Sequence, residues 1–352
     1  MYQTNQIKKA AHVRYLDNMR AFAALAVIAL HVSAQNWSST DVSSLAWFTF
    51  NFYDSAVRWA VPVFVMISGA VFLNKSIQIK QIFTKYIPRL VIAFLFWSFV
   101  YALEEGGGVK WVLANLISGK YHMWYIPMIV GVYLCIPIYE KIVESDNLCK
   151  YFLGISIVTA FLIPHAVLLV KDFGPRTMNT LVILVEPHLK NIRLSMMLGY
   201  STYFVLGYYL NKVEFNPKQR GLIYVLGCAS YCMTVFTTYY ASQNAAVPSA
   251  QYYDAFTLCT LFQSIAIFVF FKYRGHEKTV LNKLCVPISQ ASFGIYWVHA
   301  MVLELLKEKM MIDTLSFLPV ISVPVISVIV LAISFVISWG IGKMPLLKRY
   351  LV

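Results

Sequence analysis

After Arg14 at its start, three ionisable side chains interrupt the apolar run over residues 14–31: Asp17, Arg20 and His31. Imidazole is the side chain that takes up and releases a proton near neutrality, and guanidinium holds oxyanions through a planar fork of donors. Their spacing brings them together. At about 100° per residue a helix returns almost to the same azimuth after eleven residues, so Arg20 and His31 share a narrow stripe with Asp17. Ala24 and Val27 lie between them on that stripe and are small enough to leave a polar groove. Charge at membrane depth is expensive, so three such groups on one stripe argue for an internal site lined by protein or water. A lone histidine on such a helix reads more simply as a satisfied core residue; the shared stripe is what argues for function.

The elements that must hold this stripe are membrane spans. Over 352 residues, 59% are hydrophobic and only 13% charged, with a mean hydropathy of +0.64, which is the composition of a polytopic membrane protein. Apolar segments long enough to cross roughly 30 Å of hydrocarbon fall at 17–36, 56–73, 86–103, 123–142, 151–170, 195–210, 221–240, 254–271, 286–306 and 318–342. The reading is an all-α bundle of about ten transmembrane helices, a single integral membrane domain over residues 1–352. With both termini cytoplasmic, twenty of the 29 Lys and Arg residues lie on the inside and nine outside, as the positive-inside rule demands. The net charge of +13 is therefore topological. It marks no polyanion-binding patch, and no nucleic acid partner is expected.

The basic start (Lys8, Lys9, Arg14) and the apolar run that follows imitate a signal peptide, but Asp17 and Arg20 intrude on it. The loop over 104–122 reads as a flexible outer turn, because its glycines lack the Lys-Ser/Thr of a phosphate cradle. The loop over 171–194 reads as a structured cover on the outer mouth. Prolines 62, 88, 127, 137 and 164 fall within or at the ends of spans and should kink them. Trp37, Trp47, Trp59, Trp111 and Trp124 fall near the outer boundary, as an interfacial belt would. The six cysteines form no CxxC pair and no metal-ligand spacing, so they read as small apolar fillers and no metal is expected.

Several stretches together resemble the acyltransferase-3 family of membrane O-acyltransferases. Arg20 followed by ten residues and His31, with Asp17 before it, resembles the family's first-helix motif. Residues 61–69, ending in Ser68 and Gly69, resemble its second-helix stretch, and Lys85 to Arg89 its basic entry to the third helix. His122, Trp124, Gly131, Tyr133 and Pro137 resemble the fourth-helix signature, Tyr203 to Gly207 the sixth, and Ser292 to Tyr296 and His299 the ninth. Six such stretches in order cover most of the chain.

The resemblance implies transfer of an acetyl group from cytoplasmic acetyl-CoA to a hydroxyl of a cell-surface glycan, or of its lipid-linked precursor, across a bacterial inner membrane. It also implies a standalone enzyme without an extracytoplasmic hydrolase-like domain. On that reading His31 is the general base or a transient acyl carrier. Arg20, about 16 Å along the helix at 1.5 Å per residue, faces the donor's phosphate or carbonyl oxygens. Asp17 steadies Arg20 or neutralises the helix end. Ser68 stabilises an oxyanion or orients His31, with close helix packing as the alternative. Lys85 and Arg89 are candidates for the CoA phosphates. Arg58 would meet an anionic acceptor or an oxyanion, or snorkel to the interface. His122, Trp124, Tyr296 and His299 are candidates for the acceptor side. Kinked helices with intramembrane charge also describe a multi-pass transporter or flippase of a lipid or small polar solute, although no inverted repeat is visible. A non-catalytic membrane sensor would leave the spacing from Arg20 to His31 without a purpose.

Overall fold

The computed structural model describes residues 2–106, 108–192, 194–275, 280–344, 347, 350 and 351, and among these no strand occurs. In chain order the helices are α1 (Tyr2–Ala34), α2 (Leu45–Val57), α3 (Ala60–Phe72), α4 (Ile79–Gln81), α5 (Ile87–Glu105), α6 (Val109–Ser118), α7 (Tyr125–Leu134) and α8 (Ile136–Glu144). They continue with α9 (Asp146–Ser156), α10 (Ile163–Phe173), α11 (Arg176–Ile192), α12 (Leu194–Lys212), α13 (Pro217–Ala245), α14 (Leu258–Arg274), α15 (Val280–Glu308) and α16 (Pro319–Ile341). Local chemistry sets several starts. Ser44, Ser145 and Thr257 each accept a backbone N–H in the first turn of the helix that follows. Asn216 and Gln219 form a reciprocal capping box ahead of α13.

Among the described residues, seven stretches are long and apolar enough to cross a membrane, and the bent pair α7 and α8 joined to α6 makes eight. Helices α12 and α15 lie where the sequence places the sixth and ninth spans. The outward faces fit lipid. On α16, Val320, Ile321, Val325, Val328, Val336 and Ile337 are exposed while Ser322, Ser327, Ser334 and Ser338 are buried. Several inward hydroxyls bond to carbonyls, Ser338 to Ala291 at 3.1 Å and Ser327 to Val323 at 2.7 Å. A helix in water would turn these faces the other way round; with several apolar helices like it, the chain reads as an integral membrane protein.

Five prolines, at 62, 88, 127, 137 and 164, follow breaks or altered turns in helical geometry, since a proline cannot serve the carbonyl four residues before it, whereas Pro287 and Pro324 lie inside the continuous helices α15 and α16. Pro62 accounts for the break between α2 and α3 at Arg58 and Trp59, and Pro137 for the one at Cys135, where the axis bends by 53°. Wider π turns at Ile82–Tyr86 and Ile157–Leu162 precede Pro88 and Pro164, and a 3₁₀ turn at Tyr121–Trp124 precedes Pro127. The stretch expected as the fourth span is thus bent at Cys135, with the form of a broken span or a re-entrant pair. The stretch over 104–122 is corrected in its described part: it contains α6 and the 3₁₀ turn rather than only a flexible loop, and Gly107 lies outside the described residues. The outer tryptophans also divide. Trp111 and Trp124 are half exposed, whereas Trp37, Trp47 and Trp59 are buried, with Trp37 and Trp47 rings 5.8 Å apart. Those three belong to the core, because packing aromatics against one another hides more apolar area than an interfacial position would.

Helix α1 is the axis of the bundle, packing against α2, α3, α14, α15 and α16. Its lower turns (Met19, Ala23, Ala26) enter one apolar cluster with α3, α12 and α14, and its upper turns (Ile28, Val32) enter another with α2, α5, α15 and α16. Its far end is tied down by Asn36, which donates to Asp313 at 3.1 Å and Thr314 at 3.0 Å in the connection between α15 and α16. Burial pushes the Asp313 carboxyl up, but the Leu315 N–H, Asn36 and Ser316 together hold it below the usual range.

Helices α3 and α12 cross with their backbones in close approach. A Cβ on Gly69 would sit 1.7 Å from the Phe204 carbonyl oxygen, and one on Gly207 would sit 2.0 Å from that of Met66. Each helix therefore lays bare backbone against its neighbour, the small-residue packing that membranes favour. Gly69→Ala or Gly207→Ala should destabilise the protein by about 3 kcal/mol or more through overpacking. Gly154→Ala, with nothing within 4 Å of the added carbon, should unfold like the parent. Thermal unfolding of the purified protein in detergent compares the three.

Candidate active site

Between the two apolar clusters lies a cavity of about 1350 Å³ whose wall includes Arg20, Ala24, Val27 and His31. The stripe on α1 thus faces an internal space rather than lipid. Arg58, Ser68, Arg89, His122, Trp124, Tyr296 and His299 line the same cavity. Asp17 and Lys85 are not in its wall. Ordinary small-molecule sites occupy roughly 300–1,000 Å³, so this one has room for two reactants at once.

At the Arg20 end, polar groups form a closed set. Arg20 lies 3.6 Å from the Asp17 carboxylate and donates to Ser289 Oγ at 3.3 Å, while Ser289 donates to Asp17 at 2.8 Å. Asp17 therefore acts on the cavity through Arg20. Arg89 stands 4.9 Å over the Phe293 ring, so two guanidinium groups, one of them with aromatic support, line this wall. Lys85 is exposed, with its ammonium 5.3 Å from the centre of the Tyr86 ring, and Tyr86 itself lines the cavity. Ser68 donates its proton to the Phe64 carbonyl at 3.0 Å, a bond internal to α3 that sits beside the close crossing at Gly69.

Eleven residues along α1, three imidazoles meet. The rings of His31 and His299 are 5.2 Å apart, those of His122 and His299 5.1 Å, and those of His31 and His122 6.4 Å. Tyr296 donates to the His122 carbonyl at 3.0 Å and so anchors the 3₁₀ turn that carries His122. His122 is buried with neither ring nitrogen hydrogen-bonded, and the His299 Nε2 is likewise without a partner. Buried polar atoms are ordinarily paired, so this cluster is the natural place for a polar ligand or a proton in transit.

Arg58 caps α2 and pairs with Asp54, whose side chain is almost wholly buried, while its guanidinium lies 3.9 Å over the Tyr253 ring. It is not a snorkelling residue. Beyond the imidazoles, Trp124 is 5.9 Å from Tyr200, and Tyr200 is 4.9 Å from Phe256, all three on the wall. His165, Asp254 and the ion pair of Lys171 with Glu186 complete that end. The stretch over 171–194 supplies α11, which carries Glu186.

Residues 13–339 match a protein family described as an acyltransferase domain. The chain belongs to the acyltransferase-3 family. No curated protein and no solved structure matches the sequence. As an acyltransferase-3 member, the protein is an acyltransferase, and the cavity that gathers residues from five of the six motif stretches, all but Tyr203 to Gly207, is its candidate active site.

Sequence reasoning missed Asp54, Ser289, Tyr253, His165, Lys171 and Glu186. The Asp54 to Arg58 spacing of four was a readable signal, since i and i+4 face each other on a helix. His165 was equally readable as an ionisable residue inside a span. Ser289 carried no signal, because only folding brings α15 beside the Asp17 turn.

The Asp54 and Arg58 pair yields a stability prediction. Asp54→Leu leaves the guanidinium buried without its counter-charge and should destabilise the protein by about 3–5 kcal/mol. Adding Arg58→Met should recover most of that loss. Thermal unfolding in detergent tests both variants, and equal stability of single and double variants would refute the coupling.

Proposed function

We propose that this acyltransferase moves an acetyl group from acetyl-CoA, bound from the cytoplasm, to a hydroxyl of an extracytoplasmic glycan or its lipid-linked precursor. The carrying observation is the single cavity lined at one end by Arg20 and Arg89 and further along the same helix by His31. Guanidinium groups suit the anionic donor, and imidazole suits removal of a hydroxyl proton near neutral pH. The stripe spans about 16 Å at helical rise, so the thioester would reach upward to a base that the acceptor meets from the opposite side.

On this reading the bundle has about ten spans with both termini in the cytoplasm of a bacterial inner membrane. The bias of Lys and Arg toward one set of loops supports that orientation. His31 takes the acceptor proton, directly or after carrying the acetyl group itself. Arg20, steadied by Asp17 and Ser289, holds the donor with Arg89, and Lys85 adds charge at the cytoplasmic approach. Arg58 faces the reacting carbonyl oxygen or an anionic acceptor. Trp124, with Tyr200 and Phe256, offers an aromatic surface on which the apolar face of a sugar can lie. For Ser68 the packing role has the better support, since its proton is already engaged with Phe64.

Two measurements check this. His31→Ala should lower acetyl transfer to the glycan fraction at least about 100-fold in membrane vesicles supplied with labelled acetyl-CoA, while the protein inserts and unfolds normally. Arg20→Ala and Arg89→Ala should each weaken acetyl-CoA binding to the purified protein about 10-fold or more, the loss of one charge-assisted hydrogen bond. Solute movement in vesicles without any acetyl donor would favour a transporter instead.

A further inference from the structure

The His299 ring is fixed by its backbone. Its Nδ1 lies 2.7 Å from the Tyr296 carbonyl and 3.2 Å from that of Ile295. Both are acceptors, so Nδ1 carries the hydrogen, and in a neutral imidazole Nε2 is then an acceptor. That atom is buried and has no partner, although a buried acceptor without a donor weakens a fold. The ring nearest to coplanar with it is that of His31, tilted by 34°, whereas His122 is turned by 73°. Of its two imidazole neighbours His31 is the one that shares the α1 stripe with Arg20, and a ring-centre separation of 5.2 Å is one that an in-plane N–H···N bond spans.

We propose that His299 is a positioning residue for His31, its Nε2 accepting the N–H that His31 turns away from the reacting hydroxyl. This rests on the acetyl-transfer reading above. The acceptor's O–H proton passes to His31 as the new C–O ester bond forms and the thioester C–S bond breaks. The proton then leaves with CoA as its thiol, and His299 keeps its own hydrogen throughout. Its part is to hold His31 in one tautomer and to stabilise the imidazolium that forms. A carboxylate would do the same in a soluble enzyme, but at membrane depth a neutral acceptor avoids burying a second charge.

Three variants test the pairing in membrane vesicles given [14C]acetyl-CoA, with alkali-releasable label in the glycan fraction as readout. His299→Leu should lower kcat at least 30-fold with the KM for acetyl-CoA within twofold of the parent. His299→Gln, whose side-chain oxygen reaches the place of Nε2, should recover at least tenfold of that loss. His31→Ala with His299→Leu should be no slower than His31→Ala alone, because residues acting as a unit are not additive. A His299→Leu enzyme within threefold of the parent overturns the proposal, as does a Gln variant no better than Leu, which would mark a packing role. The same kcat loss and non-additivity in His122→Leu, with His299→Leu active, would transfer the role to His122 and overturn it too. A parent protein that transfers no label at all would instead sink the acetyl-transfer reading, which separates the two failures.

Discussion

Burying charge in an apolar surrounding is the constraint from which the rest of this molecule follows. Arg20 is met by Asp17 and Ser289, and Arg58 by Asp54 and the face of Tyr253. Lys272, nearly enclosed, donates to the Leu210 and Val213 carbonyls at the end of α12, where a cation also meets the negative end of the helix dipole. Lys120 bridges Glu105 and Glu304. The imidazoles are treated differently. His122, His165 and His299 all keep at least one buried nitrogen unpaired. A neutral ring tolerates this where an ion could not, and that tolerance lets a reactive group wait in the interior for its partner.

The same constraint explains why the cavity lies where the helices are least regular. A proline in a span frees a carbonyl that lipid cannot satisfy, so irregular backbone belongs beside protein or a cavity. Pro62 and Pro164 lie in the cavity wall themselves, and Arg58, His122, Trp124 and Ala160 of that wall come from the breaks and turns that precede prolines. Side chains leaving a broken helix point in directions that a continuous one would not allow. Arg58 reaches the chamber because the chain pauses at the junction of α2 and α3.

Much of this is legible in the amino-acid sequence. Helical periodicity made the stripe on α1 visible, since Arg20, Ala24, Val27 and His31 obey one azimuth whatever surrounds them, and that azimuth does face the cavity. Hydropathy located helices at each of the ten apolar runs, of which seven described stretches, or eight with the bent pair, are long and apolar enough to cross a membrane. Burial of individual aromatics was not legible. Trp37 and Trp47 sit at the sequence positions of a membrane belt, yet they pack against each other inside, and only tertiary neighbours decide between those outcomes. The partnership of Ser289 with Asp17 was hidden for the same reason, being a contact across 272 residues.

One helix carrying both ends of the site has a mechanical consequence. If Arg20 and His31 belonged to separate helices, their spacing would shift whenever the bundle flexed to admit a large donor or acceptor. On α1 it is set by helical rise alone, and the helix is gripped along its length by two apolar clusters and tied at its far end through Asn36. The partners that complete the imidazole cluster come from α15 and the turn before α7, and they meet the stripe at a height that the rise of α1 has fixed. On the proposed acetyl-transfer reading, a donor held at the Arg20 guanidinium would present its acyl group at the imidazole by its own length, because a single helix fixes the distance between the two groups.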